Sequence, residues 1–344
     1  MEFIKAGINI DFIGKRKIAF ILSAVLFIAS IGTLLVNKGP RFGIDFAGGT
    51  LVQVKFQQPV SIDLIKSGLQ DMDLAASSVQ QFGQVADNEF LVRTDAAMPA
   101  IEGLAQKLEA HLETLTNVAV EIRRVEMVGP QVGQDLREKA MFAMFFALLF
   151  ITVYISGRFE LKWAKSGAVV AAIIGAVYLL SLFKVSVPFL MVAALIVSLM
   201  AFWFFEFKYA MGAIVALIHD VTITMGIFTV FDKEFTLPIV AALLTIIGYS
   251  LNDTIIVFDR IRENLRKYHR EPLVTILNKS VNETLSRTIL TSMTTLMVVV
   301  SLFVLGGSII HDFCFTLIVG ILVGTYSSIF VASPILLSWQ ARRK

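Results

Sequence analysis

Two carboxylates stand where apolar sequence should run unbroken. His219-Asp220 lies midway along an apolar run at about 209–231, and Asn252-Asp253 lies in the next, at about 238–258. Arg287 heads a third run at about 288–305, and His311-Asp312 opens a fourth at about 312–338. An ionisable residue inside a lipid-spanning segment costs about 3 kcal/mol on insertion scales, so it seldom persists without a task. For His311, Asp312 and Asp259-Arg260, an interfacial position with the charge reaching water is explanation enough. Asp220 and Asp253 are too short to reach water from their depth, and a functional role is expected of them. A buried carboxylate near an arginine has the parts of a proton switch. Desolvation favours its neutral form and the cation its charged form, so a modest movement decides between them. The available drive is about 2.3 kcal/mol per charge per 100 mV.

The elements that must hold these residues are legible in the hydropathy. Mean hydropathy is +0.76. Charged residues make up 17% of the chain, against about 25% in soluble domains. Eight apolar runs, about 18–36, 139–156, 166–183, 187–205, 209–231, 238–258, 288–305 and 312–338, are long enough to cross a bilayer. A lone segment in lipid satisfies its backbone only as a helix, so eight spanning helices are expected. Lys5, Lys15, Arg16, Lys17, Arg158, Lys162, Lys165, Lys208, the cluster from Arg260 to Arg287, and Arg342-Arg343-Lys344 fall on one side. Only Lys184 and Lys233 lie in short loops on the other. The positive-inside rule then places both termini in the cytoplasm. The basic balance reports topology, and no nucleic-acid partner is expected. The first run comes after basic residues as a signal peptide would, but its length and the lack of an A-x-A-like site predict a retained anchor. The single cysteine, Cys314, excludes a disulfide framework and a cysteine-based metal site.

One polar stretch, 37–138, interrupts the apolar pattern. Leu51–Phe56, Ser77–Phe82, Glu89–Thr94 and Val118–Val128 read as strands, with Asp87-Asn88 as a turn. Ser61–Met72 and the segment opened by Pro99 read as helices. The order β-α-β-β-α-β predicts a small α+β ferredoxin-like domain outside the cytoplasm. The remainder divides into 1–36 with the first span, a second span at 139–158, a hairpin at 159–204, a hairpin with the ionisable residues at 205–258, a basic loop at 259–287, and the last two spans with a basic tail at 288–344. Phe258, Ile261, Leu265 and Tyr268 form one stripe of the loop, which predicts either an amphipathic segment along the membrane surface or a solvated basic linker. The two hairpins look like tandem copies. Phe159-Glu160-Leu161-Lys162-Trp163-Ala164 matches Phe205-Glu206-Phe207-Lys208-Tyr209-Ala210, and Val192-Ala193-Ala194-Leu195 echoes Val240-Ala241-Ala242-Leu243. The first copy lacks the charges.

Several motifs carry a resemblance. Gly43-Ile44-Asp45-Phe46-Ala47-Gly48-Gly49-Thr50 resembles the G-x-D-F-x-G-G-T signature of the SecD and SecF proteins. Val128-Gly129-Pro130-Gln131-Val132-Gly133 resembles their VGPxVG element, and Ala216-Leu217-Ile218-His219-Asp220 their A-L-x-H-D motif. Thr245 to Asn264 and Asn282 to Thr288 resemble stretches typical of SecF, the smaller membrane subunit of the accessory complex of the Sec export channel. The resemblance implies a polytopic core like that of the resistance-nodulation-division superfamily, a complex with SecD, and work on preproteins leaving the SecYEG channel. YajC and YidC are further candidate partners. It implies coupling to a proton gradient, with sodium as the alternative ion, and neither a cofactor nor enzymatic catalysis. Carried over by motif, Asp253 is the main protonatable group and Arg287 its partner; Asp220, Asn252 and His219 assist. The glycines Gly43, Gly48 and Gly49, with Asp45, Phe46 and Thr50, are expected to shape the entry to the polar domain.

The departure is the extra hairpin, because the family pattern has six spans and this chain reads as eight. An even insertion preserves the orientation of every later span, so the hairpin is expected on the outside of the bundle. Three other classes compete: an exporter of lipids or small molecules in the same superfamily, an intramembrane aspartyl protease, and a non-conducting assembly subunit. A single small exported domain argues against the first. The contexts His219-Asp220 and Asn252-Asp253 lack the Tyr-Asp and Gly-x-Gly-Asp patterns of the second.

Overall fold

The computed structural model describes residues 8–72, 74, 77–83, 85–94, 101–183 and 185–337. Lys5, Lys184, Pro99 and the tail Arg342–Lys344 lie outside the described residues. Helix α1 (Arg16–Val36) leads to a single turn, α2 (Ile44–Ala47). The polar domain comes next as β1 (Gly49–Phe56), α3 (Ile62–Asp71), β2 (Ser78–Phe82), β3 (Glu89–Thr94), α4 (Ile101–Thr116) and β4 (Val120–Val128). The sheet is antiparallel, ordered β2-β3-β1-β4. Alternation in β1 and β3 sends Val52, Val54, Phe56, Phe90 and Val92 to one face, where they meet Ile65, Leu69, Leu108 and Leu112 of α3 and α4. Ser61 caps α3 by accepting a hydrogen bond from the Leu64 amide. This is the expected ferredoxin-like sandwich.

The bundle comprises α5 (Pro130–Glu160), α6 (Trp163–Ser181), α7 (Val187–Phe204), α8 (Lys208–Val230), α9 (Leu237–Lys267), α10 (Leu273–Leu305) and α11 (Ser308–Ser327). A π-helical turn (Ser328–Ala332) and the short α12 (Ser333–Ile335) continue the last of these. With α1, eight of these segments are long and apolar enough to cross a membrane. Helix boundaries exceed the apolar runs. Pro130, which has no amide to leave unpaired, starts α5 well before the apolar part at 139. The loop expected along the membrane surface at 259–287 is instead the continuation of α9 and α10. At 31 residues, α9 is about 46 Å long, more than the hydrocarbon of a bilayer. The two extensions form one hairpin closed by Asn264 Nδ2, which donates to Ser280 Oγ at 3.0 Å and Glu283 Oε2 at 2.7 Å. The apolar stripe there buries Phe258 and Ile261 against the bundle, so a membrane surface is not what covers it.

The extra hairpin, α6–α7, packs chiefly on α5 and α8. Val170, Ile173, Val177, Ala194 and Phe202 face the bundle, whereas Tyr178, Phe183 and Phe189 are exposed. Lys162 Nζ ties its two ends by donating to the carbonyls of Phe205 and Glu206. Helices α8 and α9 touch directly, without the hairpin between them.

Candidate functional site

Helices α8, α9, α10 and α11 enclose a seam of polar side chains. Asp220 on α8 is 0% exposed. Its Oδ2 accepts from Ser250 Oγ of α9 at 2.6 Å and from Ser327 Oγ of α11 at 2.7 Å. Its Oδ1 lies 2.9 Å from His219 Nδ1, and an ionised Asp220 requires the proton on that nitrogen. His219 Nε2 is then buried with no hydrogen-bond partner among the described residues, as is Thr224 Oγ1 one turn on. The imidazole stacks on Tyr326, with 6.2 Å between ring centres. Tyr326 anchors α1, donating to the Ala19 carbonyl at 2.8 Å and accepting from Ser23 Oγ at 3.1 Å.

Asp253 on α9 is 1% exposed and held differently. Ser292 Oγ of α10 approaches its Oδ2 at 3.4 Å, a weak contact, while lying 2.7 Å from Thr325 Oγ1 of α11. Arg287 is exposed on α10, and no ion pair closes between it and Asp253 among the described residues. Asp220 is therefore committed to three neighbours, and Asp253 keeps acceptor capacity in reserve. Close approach of α11 is needed for this geometry. A Cβ on Gly324 would stand 2.9 Å from Ser250 Cβ, so a larger side chain would push α11 off α9.

Of the residues singled out in the sequence, Asp220, His219 and Asp253 are buried in this seam and Arg287 borders it. Asn252 is exposed on α9 and does not enter it. Consecutive helical residues point about 100° apart, so Asn252 turns outward when Asp253 turns in. His219 and Asp220 are both buried only because α8 is surrounded. Sequence reasoning missed Ser250, Ser292, Thr325, Tyr326 and Ser327. Their signal was present as polar interruptions, Tyr249-Ser250 and Thr325-Tyr326-Ser327-Ser328, in otherwise apolar runs.

The first signature lies at the domain end of the bundle. Gly48 and Gly49 have φ of 76° and 109°, the left-handed region open to glycine. A Cβ on Gly48 would stand 2.8 Å from Pro130 Cα, and one on Gly133 3.0 Å from the Gly48 nitrogen, so the two signature loops pack backbone to backbone. Phe46 stacks on Phe235, Thr50 is buried in β1, and Asp45 Oδ2 accepts from the Leu237 amide at 2.8 Å.

The family described as "Protein export membrane protein SecD/SecF, C-terminal" matches residues 107–199 and again 174–342, and the "SecD/SecF GG Motif" matches 33–60. A protein translocase subunit SecF from Magnetococcus marinus is 45% identical over 99% of this chain and 96% of its own length. The chain belongs to the SecF family. A second SecF, from Calditerrivibrio nitroreducens, is 40% identical over 100% of this chain and 98% of its own length. The crystal structure of SecDF from Thermus thermophilus, described as a translocon-associated membrane protein, matches with a TM-score of 0.71 and 29% identity, over 98% of this chain. This chain spans 39% of that one, so the SecF part stands beside a larger remainder in SecDF.

Proposed function

We propose that this SecF-family chain is the gradient-driven subunit of a protein translocase, working with SecD to promote passage of preproteins from the SecYEG channel. It does so as an ion-coupled subunit, without enzymatic chemistry. The polar domain faces the periplasm and both termini face the cytoplasm, a reading supported by the distribution of Lys and Arg. Protons drive the cycle, with sodium as the alternative ion, and YajC and YidC are candidate further partners.

The observation that carries this reading is the contrast between two buried carboxylates on touching helices. Asp220 is saturated by Ser250, Ser327 and His219, so it serves as a fixed polar pin joining α8, α9 and α11. Asp253 has one weak contact, and a cation nearby that has not closed on it. Taking up a proton removes the attraction to Arg287, and releasing it restores that attraction, so protonation repositions α9 against α10. In inverted membrane vesicles, Asp253→Asn and Arg287→Met are expected to leave partner co-purification intact and reduce translocation to its level without a gradient. Wild-type gradient dependence in both variants would overturn the reading.

A further inference from the structure

The outer end of α9 is closed by a residue from the far side of the chain. A helix leaves its first amides unpaired unless something caps them. In α9 the amides of Ile239 and Val240 donate to the Thr236 carbonyl, and Pro238 has none to donate. The Leu237 amide remains. The side chain of Thr236, at the N-cap, could reach only the second or third helical amide and makes no cap hydrogen bond, so it does not serve the Leu237 amide. Asp45 takes that place at 2.8 Å, and its charge suits a helix N-terminus. Asp45 stands in the single turn immediately before Gly48-Gly49 and the first strand of the polar domain.

The same place is tied several times over. Phe42 and Phe235 form a β-bridge, with Gly43 N donating to Phe235 O at 2.9 Å and Phe235 N to Arg41 O at 2.7 Å. Arg41 pairs with Asp232 at 3.0 Å and Glu234 at 3.6 Å. Arg93, on the sheet, reaches Glu234 at 3.9 Å and donates to the Phe42 carbonyl at 2.5 Å. The segment 41–46 is thus fastened on one side to the sheet and on the other to the segment leading into α9. From Leu237, α9 runs unbroken to Ser250 and Asp253.

We propose that Asp45 is the positioning residue that joins α9 to the polar domain as one mechanical unit, so that a displacement of α9 at Asp253 is delivered to the domain through this cap. The proposal rests on the ion-driven reading above. The covalent link from β4 into α5 holds the domain in place, but α5 carries neither Asp220 nor Asp253.

The test uses the full chain with its native partners in inverted vesicles, comparing Asp45→Ala, Asp45→Asn and Asp253→Asn. Asparagine still accepts from the Leu237 amide, as it does at helix caps generally. Asp45→Asn is therefore expected to keep gradient-dependent translocation, whereas Asp45→Ala reduces it severalfold, the bridge and ion pairs still holding the segment, and keeps the gradient-independent rate. If Asp45→Ala behaves as wild type while Asp253→Asn is dead, the joint is refuted and the ion-driven reading survives. If Asp253→Asn is also wild type, that reading itself fails. Should Asp45→Ala fail to accumulate, a second variant decides. Phe42→Cys with Phe235→Cys places a disulfide across the paired positions of the bridge. Oxidised, it is expected to transport as wild type. Transport that stops on oxidation and returns with reductant would mean the joint must open, which overturns the proposal.

Discussion

Asp220 and Asp253 differ in hydrogen bonding more than in burial, and that difference sets what each tolerates. Removing one hydroxyl from a buried carboxylate leaves it short of a donor, at about 1–3 kcal/mol. Ser250→Ala and Ser327→Ala are each expected to lower the thermal stability of the purified chain by that order, whereas Ser292→Ala, with its 3.4 Å contact, should barely change it. Equal losses at all three positions would contradict the distinction. Glu234 offers a separate test outside the spanning segments. Burial raises its pKa above the ordinary glutamate value of 4.5, and Arg93 and Arg41 offset this in part. Linkage sets the sign: between 4.5 and the raised value the folded chain binds more protons than the unfolded one, so stability falls as pH rises through that window. Glu234 lines a cleft of about 780 Å³ beside β2, within reach of bulk protons. Melting temperatures should show that decline in wild type and not in Glu234→Gln; identical profiles would mean that the arginines cancel the effect of burial, and a rise with pH below 4.5 that they outweigh it.

Among the elements, α8, α9, α10 and α11 carry the site, and α6–α7 is attached on the flank formed by α5 and α8. The hairpin's inner face packs on α5 and α8, away from Asp253. Excising residues 159–204 removes one repeat length and brings Phe205-Glu206 to the place of Phe159-Glu160. Gradient-dependent translocation by that deletion variant is expected to remain largely intact. Its loss, with the chain still inserted and bound to partner, would give the hairpin a part in the mechanism. The apolar runs placed these helices well, because lipid imposes one rule on every span. They missed the helix ends, since hydropathy marks the part that crosses lipid and says nothing of where Pro130 starts a helix or Asn264 closes a hairpin. The stripe of Phe258 and Ile261 reads as a membrane-facing side for the same reason. A buried helix face and a lipid-facing one have the same composition.

At the scale of the whole molecule, the division into a bundle and a β-α-β-β-α-β domain was legible, because alternation in strands and long apolar runs are local properties. Asp220 and Asp253 were legible because charge in an apolar run is conspicuous. Their partners were not: Ser250 and Ser327 are ordinary in composition, and only packing brings them to one carboxylate from two helices. The Asp45–Leu237 cap joins residues 192 positions apart, and no local pattern announces it. The claim on which everything else depends is that one carboxylate changes its proton during the cycle while the other stays fixed. Infrared difference spectroscopy of the reconstituted complex, stepped between acid and alkaline buffer, reads the carboxylic-acid band directly. The band expected in wild type should vanish in Asp253→Asn and persist in Asp220→Asn. A band that survives Asp253→Asn and disappears with Asp220→Asn would contradict the assignment.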